Sequence, residues 1–559
     1  MRAGRSHGLL AFAAALHVPG GAAQDRWCGK AYQAGSPLVI PGGRLEPPDL
    51  SPRPLLDLKI IPRHSIYLAS DEGAEFIVDA AISYVHGSTW PSSDSTAQEQ
   101  QSGALNVTIT WKNQTLAKGT VMPNTTDNIF PIDLKSLEPR MDGYPIDLAV
   151  TSHTNNSTFS AATELFLLPE KTTGSVVKID NLYGSLLYRN PTTNGIFVPV
   201  FPYGFYGDYS GYFNKSASNV EKYASQGYNV VNVVSSFADD DMSATIETMD
   251  RLNLFLQYDM RGSYKNLSSV AWQMPLVKDH PSLLTWYTAD EPDGWQDPLD
   301  APKQAYDLIA SLDRYHPTAL VLNCQNYYFE EYSSGADIIM EDAYPVGINA
   351  TYSWKWGTAC NETFGDCGCD NCEGTLLDVP DRVDDFYDYG AWLGGTATRK
   401  PVWAVPQAFS IPEDYWAREP TPDEAWVMDL LAFNHGAKAR LAWIYPASVE
   451  LDTALSSLAK VVTTSPVMNF LTGANPVLLQ DGKHGGLDVA YWKMGDQVLV
   501  SVVAPGESVA NAEIPLPGDL QLSRVGSTPW GEISWTLDGT TLRAEGGLPS
   551  LATSLLILQ

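Results

Sequence analysis

The chain has 559 residues, with 65 acidic against 35 basic side chains and a formal net charge of −30. A field of that sign repels polyanions, which excludes nucleic acid and anionic membrane surfaces as partners. The length exceeds one typical domain, and 44% hydrophobic residues can supply a large core, so two to four domains are expected.

Residues 1–24 have the pattern of a secretory signal peptide. Basic residues precede an apolar run at 9–18, and small residues follow up to Gln24. No later run approaches the roughly 20 apolar residues of a membrane span, so a soluble, secreted, extracellular protein is predicted. Sequons of the type Asn-x-Ser/Thr predict a glycoprotein; they lie at Asn106, Asn113, Asn124, Asn155, Asn156, Asn214, Asn266, Asn349 and Asn361.

The six cysteines predict disulfides rather than catalytic thiols, because the predicted compartment is oxidising. Four of them crowd one Gly/Asp/Asn-rich loop without the two separated Cys-x-x-Cys pairs of a zinc site: Cys360, Cys367, Cys369 and Cys372. Two local bridges are expected there. Cys28 and Cys324 remain for a long-range bridge between the mature N-terminus and the middle of the chain.

Residues 25–190 show short alternating runs, such as 76–84, 105–111 and 146–150, separated by Gly, Pro, Ser and Asn turns. A period of two between turns predicts an antiparallel β-sandwich. Because sequons cluster in this segment and no catalytic motif occurs in it, we interpret it as a glycosylated accessory domain.

From Gly195 onward, apolar strands alternate with helical periods, which predicts βα units on a parallel sheet. Eight such units predict a (β/α)8 TIM barrel over residues 191–473. The predicted strands are 196–202, 228–234, 254–259, 284–289, 319–324, 337–344, 401–407 and 440–445. The predicted helices are 219–226, 242–252, 270–278, 301–312, 328–332, 382–393, 424–435 and 451–471.

Alternation at period two returns over residues 474–559, which predicts a small C-terminal β-sandwich that braces the barrel. The predicted fold class is therefore multidomain, with a central (β/α)8 barrel flanked by N-terminal and C-terminal β-sandwich domains.

The carboxyl ends of the predicted strands collect side chains suited to a sugar. These ends meet at the barrel mouth, where such enzymes work. Aromatic faces stack on the C–H faces of a pyranose, and carboxylates and amides bind its hydroxyls. A carbohydrate partner is predicted, and the predicted substrate-binding residues are Tyr206, Asp259, Asn323, Asp342, Tyr344, Trp403, Gln407, Trp443 and Tyr445.

The predicted fourth strand ends in two adjacent acids, Asp290 and Glu291, followed by Pro292 and Gly294. Burying a carboxylate is costly without a partner or a task, and an acid at the barrel mouth is placed for proton transfer. Neighbours on a strand point to opposite faces. Asp290 and Glu291 therefore cannot form the simple pair of carboxylates that flanks the scissile bond in most glycosidases.

This Asp-Glu doublet at the end of strand four resembles the substrate-assisted β-N-acetylhexosaminidases of glycoside hydrolase family 20 and especially family 123. The resemblance implies a retaining, exo-acting enzyme for GalNAc or GlcNAc, with Glu291 as general acid/base. It implies that Asp290 orients the 2-acetamido group, whose oxygen attacks the anomeric carbon. Tyr344 or Tyr445 would then hydrogen-bond the acetamido oxygen, and Trp443 would form a pocket floor.

Two alternatives stay open. One is a two-carboxylate glycosidase of the β-galactosidase or β-glucosidase type, with Glu291 as acid and Glu341 or Asp342 as second carboxylate. Its usual strand-seven Glu is absent, since that strand ends in Gln407. The other is a non-catalytic, carbohydrate-binding cell-wall protein. No cofactor or metal is predicted, because the acids show no Ca²⁺ loop spacing, and the sequence predicts no oligomeric state.

Overall fold

The computed structural model describes residues 25–90, 103–153 and 156–559. The predicted signal peptide and the sequon at Asn155 lie outside these residues. Within them, no helix is both long and apolar enough to cross a membrane.

The N-terminal part contains two four-stranded antiparallel sheets that share one hydrophobic core. Tyr144–Ser152 shows why they form, because its apolar residues alternate with exposed ones and fill one face of the strand. In spatial order, the first sheet contains Ser88–Thr89, Leu55–Pro62, Gly73–Ser83 and Thr125–Asp133. The second contains Thr158–Leu165, Tyr144–Ser152, Leu105–Trp111 and Gln114–Val121.

Three smaller sheets accompany them. Arg26–Trp27 pairs with Lys30–Ala31, and Tyr67–Leu68 pairs with Leu167–Leu168. A three-stranded sheet leads into the barrel; its strands are Val176–Asp180, Ser185–Arg189 and Val198–Val200.

The centre of the molecule is a closed barrel of eight parallel strands, which confirms the predicted barrel. Its strands are Tyr203–Asp208, Val230–Val234, Phe255–Asp259, Leu283–Asp290, Thr318–Leu322, Ile338–Glu341, Val402–Ala404 and Arg440–Tyr445. The helices between and after them are Ala217–Ser225, Ser243–Leu252, Leu267–Val277, Pro292–Trp295, Ala301–Leu312, Phe329–Ser333, Asp378–Leu393, Pro422–Asn434, Val449–Val462 and Val467–Gly473.

The prediction for the first strand was wrong. Within the predicted range 196–202, Val198–Val200 pairs antiparallel with Ser185–Arg189, and the barrel strand is Tyr203–Asp208. The glycines of that strand resemble turn signals in the sequence but serve close packing. A Cβ at Gly204 would lie 1.8 Å from the carbonyl oxygen of Val230.

The final predicted helix is two helices, Val449–Val462 and Val467–Gly473, because Pro466 between them lacks the amide hydrogen that a continuous helix needs. Alternation along each barrel strand divides its side chains between the interior and the helix layer. In Ile338–Glu341, for example, Ile338 and Met340 belong to the interior core and Ile339 to the outer one.

The C-terminal part contains a five-stranded and a three-stranded sheet around a core of their own. Some of its side chains, such as Trp492 and Leu499, also join the core of the barrel helices. The five-stranded sheet contains Val477–Asp481, Asp488–Met494, Gln497–Val503, Thr553–Leu558 and Val525–Trp530, and the other contains Glu513–Pro515, Thr541–Ala544 and Trp535–Asp538.

The long loop after barrel strand six carries a small hairpin, Tyr352–Ser353 with Thr358–Ala359. The structure confirms the predicted disulfides: two local bridges, Cys360–Cys367 and Cys369–Cys372, and the long-range bridge Cys28–Cys324.

Candidate active site

The Asp-Glu doublet lies where barrel strand four ends at the mouth. Asp290 is the last residue of the strand, and Glu291 follows with a left-handed φ of 49°. A non-glycine residue rarely adopts this conformation, and it persists only where neighbouring contacts hold it. The turn therefore directs the Glu291 side chain away from the regular alternation of the strand.

Asp293 stabilises this turn through hydrogen bonds to backbone N–H groups. It is fully buried, and its carboxylate accepts backbone N–H groups of Gly294 at 3.0 Å, Asn323 at 3.3 Å and Cys324 at 2.8 Å. The turn after strand four is thus fastened to the end of strand five. Burial raises the pKa of Asp293 to about 7 in spite of these donors.

Glu291 and Asp342 are hydrogen-bonded to each other. Asp342 directly follows barrel strand six, is 3% exposed, and accepts a hydrogen bond from Asn323 Nδ2 at 3.2 Å. Burial, followed by the neighbouring Asp342 carboxylate, raises the pKa of Glu291 well above its usual value. Burial also raises the pKa of Asp342. Both shifts favour a proton shared by the pair over two separate carboxylates.

A second cluster of charged residues contains Asp290, Arg261 and Asp259. Arg261 Nε lies 2.7 Å from Asp259 Oδ2, and its Nη1 lies 2.7 Å from Asp290 Oδ2. The hydroxyl of Tyr287 donates to the other Asp290 oxygen at 2.6 Å. Asp290 is thus fixed from both sides, while its side chain keeps 24% exposure at the mouth. Burial raises the pKa of Asp259 to about 6, although Arg261 opposes the shift.

Aromatic rings enclose the guanidinium of Arg261. Its Cζ lies 5.2 Å from the ring centroid of Tyr206, 5.5 Å from Tyr287 and 5.2 Å from Trp443. Such cation–π contacts stabilise a charge that is largely removed from water. Sequence reasoning missed Arg261 and Tyr287; the available signal was a basic residue two positions after the acid that ends strand three.

Tyr344 lines the mouth beside the acid pair. After burial, the charges of the Asp342 and Glu291 carboxylates do most to raise its pKa. Its ring packs against Phe409 with centroids 5.1 Å apart, and Trp416 Nε1 donates to its carbonyl oxygen at 3.1 Å. Phe409 and Trp416 were not predicted, because they belong to the loop after strand seven.

The N-terminal segment contributes another wall. Trp27 Nε1 donates to Asn323 Oδ1 at 3.0 Å, and the adjacent Cys28 is bridged to Cys324. The ring of Trp27 lies so close to Gly294 that a Cβ there would be 2.3 Å from it. Asn323, which was predicted, therefore links this wall to Asp342, whereas Trp27 was missed.

Four predicted residues do not join this cluster. Tyr445 faces the helix layer and donates to Gln226 Oε1 at 3.0 Å, because the register between barrel strands one and eight shifts before it. Glu341 also leaves the interior, accepts the Ala343 N–H at 3.0 Å, and has its pKa raised to about 8 by burial.

Trp403 and Gln407 face inward but are used by the fold. Trp403 is fully buried in the interior core, where its ring packs, and its Nε1 has no hydrogen-bond partner among the described residues. Gln407 accepts the Val346 N–H at 2.9 Å and donates to the carbonyl oxygens of Val346 and Phe409 at 3.0 and 3.1 Å. Its amide therefore clamps the loop after strand six and is not free for a substrate.

No protein-family model matches this chain, and no curated protein matches it by sequence. Among solved structures, it is similar to an FMN-binding β-glucuronidase from Facaelibacterium prausnitzii L2-6. The two chains are 10% identical, the match covers 91% of this chain and 75% of that chain, and the TM-score is 0.34. A Parabacteroides merdae β-glucuronidase is 9% identical, with 89% of this chain and 73% of that chain covered and a TM-score of 0.34. A Dictyoglomus thermophilum β-D-glucuronidase is 13% identical, with 70% of this chain and 62% of that chain covered and a TM-score of 0.32. Similarity this low carries no weight for function, which rests on the side chains at the mouth.

Proposed function

We propose that the protein is a glycoside hydrolase, specifically an exo-acting β-N-acetylhexosaminidase that uses the 2-acetamido group of its substrate as the nucleophile. The observation that carries this proposal is the proton-holding pair of Glu291 and Asp342 next to the fixed carboxylate of Asp290. A protonated carboxyl group at an aromatic-lined barrel mouth is suited to general acid catalysis.

The contact between the two acids favours this mechanism over a two-carboxylate one. Retaining enzymes separate their carboxyl groups by about 5–5.5 Å and inverting enzymes by about 6.5–9.5 Å, so that the sugar fits between them. Glu291 and Asp342 are in direct hydrogen-bond contact and leave no such space. Glu341, the other candidate for second carboxylate, lies toward the helix layer. Asp342 is better suited to keeping Glu291 protonated.

In the proposed reaction, Glu291 donates its proton to the glycosidic oxygen as the bond to the anomeric carbon breaks. The acetamido oxygen forms a bond to that carbon, and the alcohol leaves. The Glu291 carboxylate then removes a proton from water, whose oxygen attacks the same carbon and releases the acetamido oxygen. Glu291 is protonated again at the end, as general acid/base catalysis requires.

Asp290 and Tyr344 have matching roles in this scheme. Held by Arg261 and Tyr287, the Asp290 carboxylate can accept the acetamido N–H and orient the group for attack. The Tyr344 hydroxyl, near Asp342 and Glu291, is the better placed of the two predicted tyrosines to bind the acetamido oxygen. The partly exposed Trp443 ring beside Arg261 is suited to the pocket floor.

The charges at the mouth favour a neutral sugar over a uronic acid. Arg261 is already bound by two carboxylates, and the Nη atoms of Arg382 donate to the carbonyl oxygens of Asn323 and Asp370. Of these guanidinium nitrogens, Arg261 Nη2 has no hydrogen-bond partner among the described residues, but the two carboxylates that bind Arg261 outweigh its single positive charge. An anionic sugar would instead meet Asp290 and Asp342, and like charges at short range repel strongly where water is excluded.

We also propose that the protein is secreted and glycosylated, with the antiparallel sheets on either side of the barrel as accessory β-sandwich domains. Three disulfides support an oxidising compartment. Exposure of the sequon asparagines supports glycosylation; those exposed are Asn106, Asn113, Asn124, Asn156, Asn214, Asn266 and Asn361.

A panel of 4-nitrophenyl β-glycosides of GalNAc, GlcNAc, galactose and glucose tests the proposal. We expect turnover of an N-acetylhexosaminide and inhibition by a thiazoline mimic of the cyclised intermediate. Cleavage of the plain hexosides with insensitivity to the thiazoline would support the two-carboxylate mechanism instead. Affinity for glycans without any hydrolysis would indicate a carbohydrate-binding protein.

A further inference from the structure

The hairpin in the loop after barrel strand six exposes two large aromatic side chains. Trp354 is 71% exposed and Tyr352 is 38% exposed. Their rings touch each other, with centroids 5.1 Å apart and planes at 69°. Ring faces left in water are unfavourable, and an adjoining pair of them marks a surface suited to binding.

The hairpin beneath these rings is firmly held. Trp356 packs on Tyr32 with ring centroids 4.5 Å apart, and its Nε1 donates to the hydroxyl of Tyr415 at 2.7 Å. Lys355 forms an ion pair with Asp414 at 2.5 Å. The exposed rings therefore stand on a fixed base, which lowers the entropy that a ligand would lose by ordering them.

A row of aromatic contacts connects the hairpin to the candidate active site. The ring of Tyr415 lies 5.1 Å from that of Trp416, and Trp416 lies 6.0 Å from the ring of Tyr344. Tyr344 belongs to the interior core and follows Asp342 by two residues after barrel strand six. The hairpin with its exposed rings therefore lies on the loop at the same end of the barrel as the candidate active site.

We propose that Tyr352 and Trp354 form a platform that binds a further sugar residue of the glycan whose terminal residue enters the mouth. This inference rests on the proposed function and assigns it an oligosaccharide substrate. A sugar ring fits the platform, because its C–H face can cover the exposed aromatic faces while its hydroxyls remain in water. Lys355, which follows Trp354 in the hairpin and pairs with Asp414, offers a charged partner to those hydroxyls.

Trp354→Ala tests the platform, with Trp272→Ala as matched control. Trp272 is 57% exposed on the helix Leu267–Val277, which follows barrel strand three. For chitotetraose, we expect kcat/KM to fall about tenfold in Trp354→Ala, while turnover of 4-nitrophenyl N-acetyl-β-glucosaminide stays unchanged. The control should keep both activities. Wild-type rates on chitotetraose in Trp354→Ala would overturn the platform and leave the proposed function standing.

A binding measurement separates the platform from the proposed function. Binding of chitotetraose, cellotetraose and β-1,4-galactotetraose to Glu291→Gln is measured by isothermal titration calorimetry, with and without Trp354→Ala. We expect saturable binding of at least one of them that Trp354→Ala weakens about tenfold, whether or not the wild type hydrolyses it. Absence of binding by all three, or unchanged affinity in Trp354→Ala, would overturn the platform.

The same titration tests whether an N-glycan of the protein itself occupies the platform. Asn349 carries a sequon, and its carbonyl oxygen accepts the Tyr352 N–H at 3.3 Å. Binding that appears only after Asn349→Gln would show that an attached glycan covers the rings, and would overturn the proposal.

Discussion

Replacing Asp342 with asparagine tests why Glu291 holds a proton. The substitution keeps the size of the side chain and its hydrogen bonding, but it removes the negative charge that, after burial, does most to raise the pKa of Glu291. The proton on Glu291 should therefore be lost at lower pH, while burial still keeps the pKa above its usual value.

The size of the effect follows from Coulomb's law. Two unit charges about 4 Å apart at an effective dielectric constant of about 20 interact by about 4 kcal/mol. That energy corresponds to about 3 pH units, at about 1.36 kcal/mol for each. Because Glu291 is partly exposed, solvent screening reduces the effect, and we expect a change of about 1–2 pH units.

The assay is the pH dependence of kcat for an aryl N-acetyl-β-hexosaminide, whose alkaline limb reports the acid in the enzyme–substrate complex. In Asp342→Asn this limb should move to lower pH by that amount, with measurable turnover at acidic pH. An unmoved limb would refute the assigned role of Asp342. Complete loss of turnover with rescue by added azide would identify Asp342 as a nucleophile instead.

Three further predictions follow from the contacts at and below the mouth. Arg261→Lys keeps the charge but cannot bridge Asp259 and Asp290 as a planar guanidinium does, so kcat/KM should fall about 10- to 100-fold with the circular dichroism spectrum unchanged; full activity would show that Asp290 needs no such support. Glu341 has its pKa raised to about 8 by burial, so the folded state binds more protons than the unfolded state and stability falls as pH rises from about 5 to about 8. Glu341→Gln should therefore flatten the decline of Tm over this range, and an equally steep decline would contradict the burial argument. As competitive inhibitors of aryl N-acetyl-β-hexosaminide turnover, glucuronic acid should bind at least about tenfold more weakly than glucose because of repulsion by Asp290 and Asp342; tighter binding of glucuronic acid would contradict the charge assignment.

The sequence was sufficient for the barrel and for the position of its acids. Each βα unit repeats the change from a period of two to a helical period, and the apolar run that ends in Asp290 and Glu291 marks the end of strand four. The prediction of site residues failed where a shift of one residue in strand register decides whether a side chain faces the barrel interior or the helix layer. Glu341 and Asp342 are neighbours, and only the position of Met340 in the interior assigns Asp342 to the mouth. Tyr445 was misplaced for the same reason, since a register shift precedes it.

The remaining site residues depend on contacts between distant segments. Trp27 reaches Asn323 across 296 positions through the Cys28–Cys324 bridge and the close approach at Gly294. Arg261 lies in a loop, where periodicity does not determine the direction of a side chain. Both positions follow from tertiary packing, and local sequence patterns carry no signal for it.

The most direct test of the central claim compares Glu291→Gln with the wild type on two aryl N-acetyl-β-hexosaminides that differ only in the basicity of the leaving group. If Glu291 protonates the glycosidic oxygen, the variant should lose at least about 10²-fold in kcat/KM on the more basic leaving group. The loss should be far smaller on the less basic one, which departs without a proton. Equal losses on both substrates, or wild-type turnover in Glu291→Gln, would contradict the assignment of Glu291 as the acid.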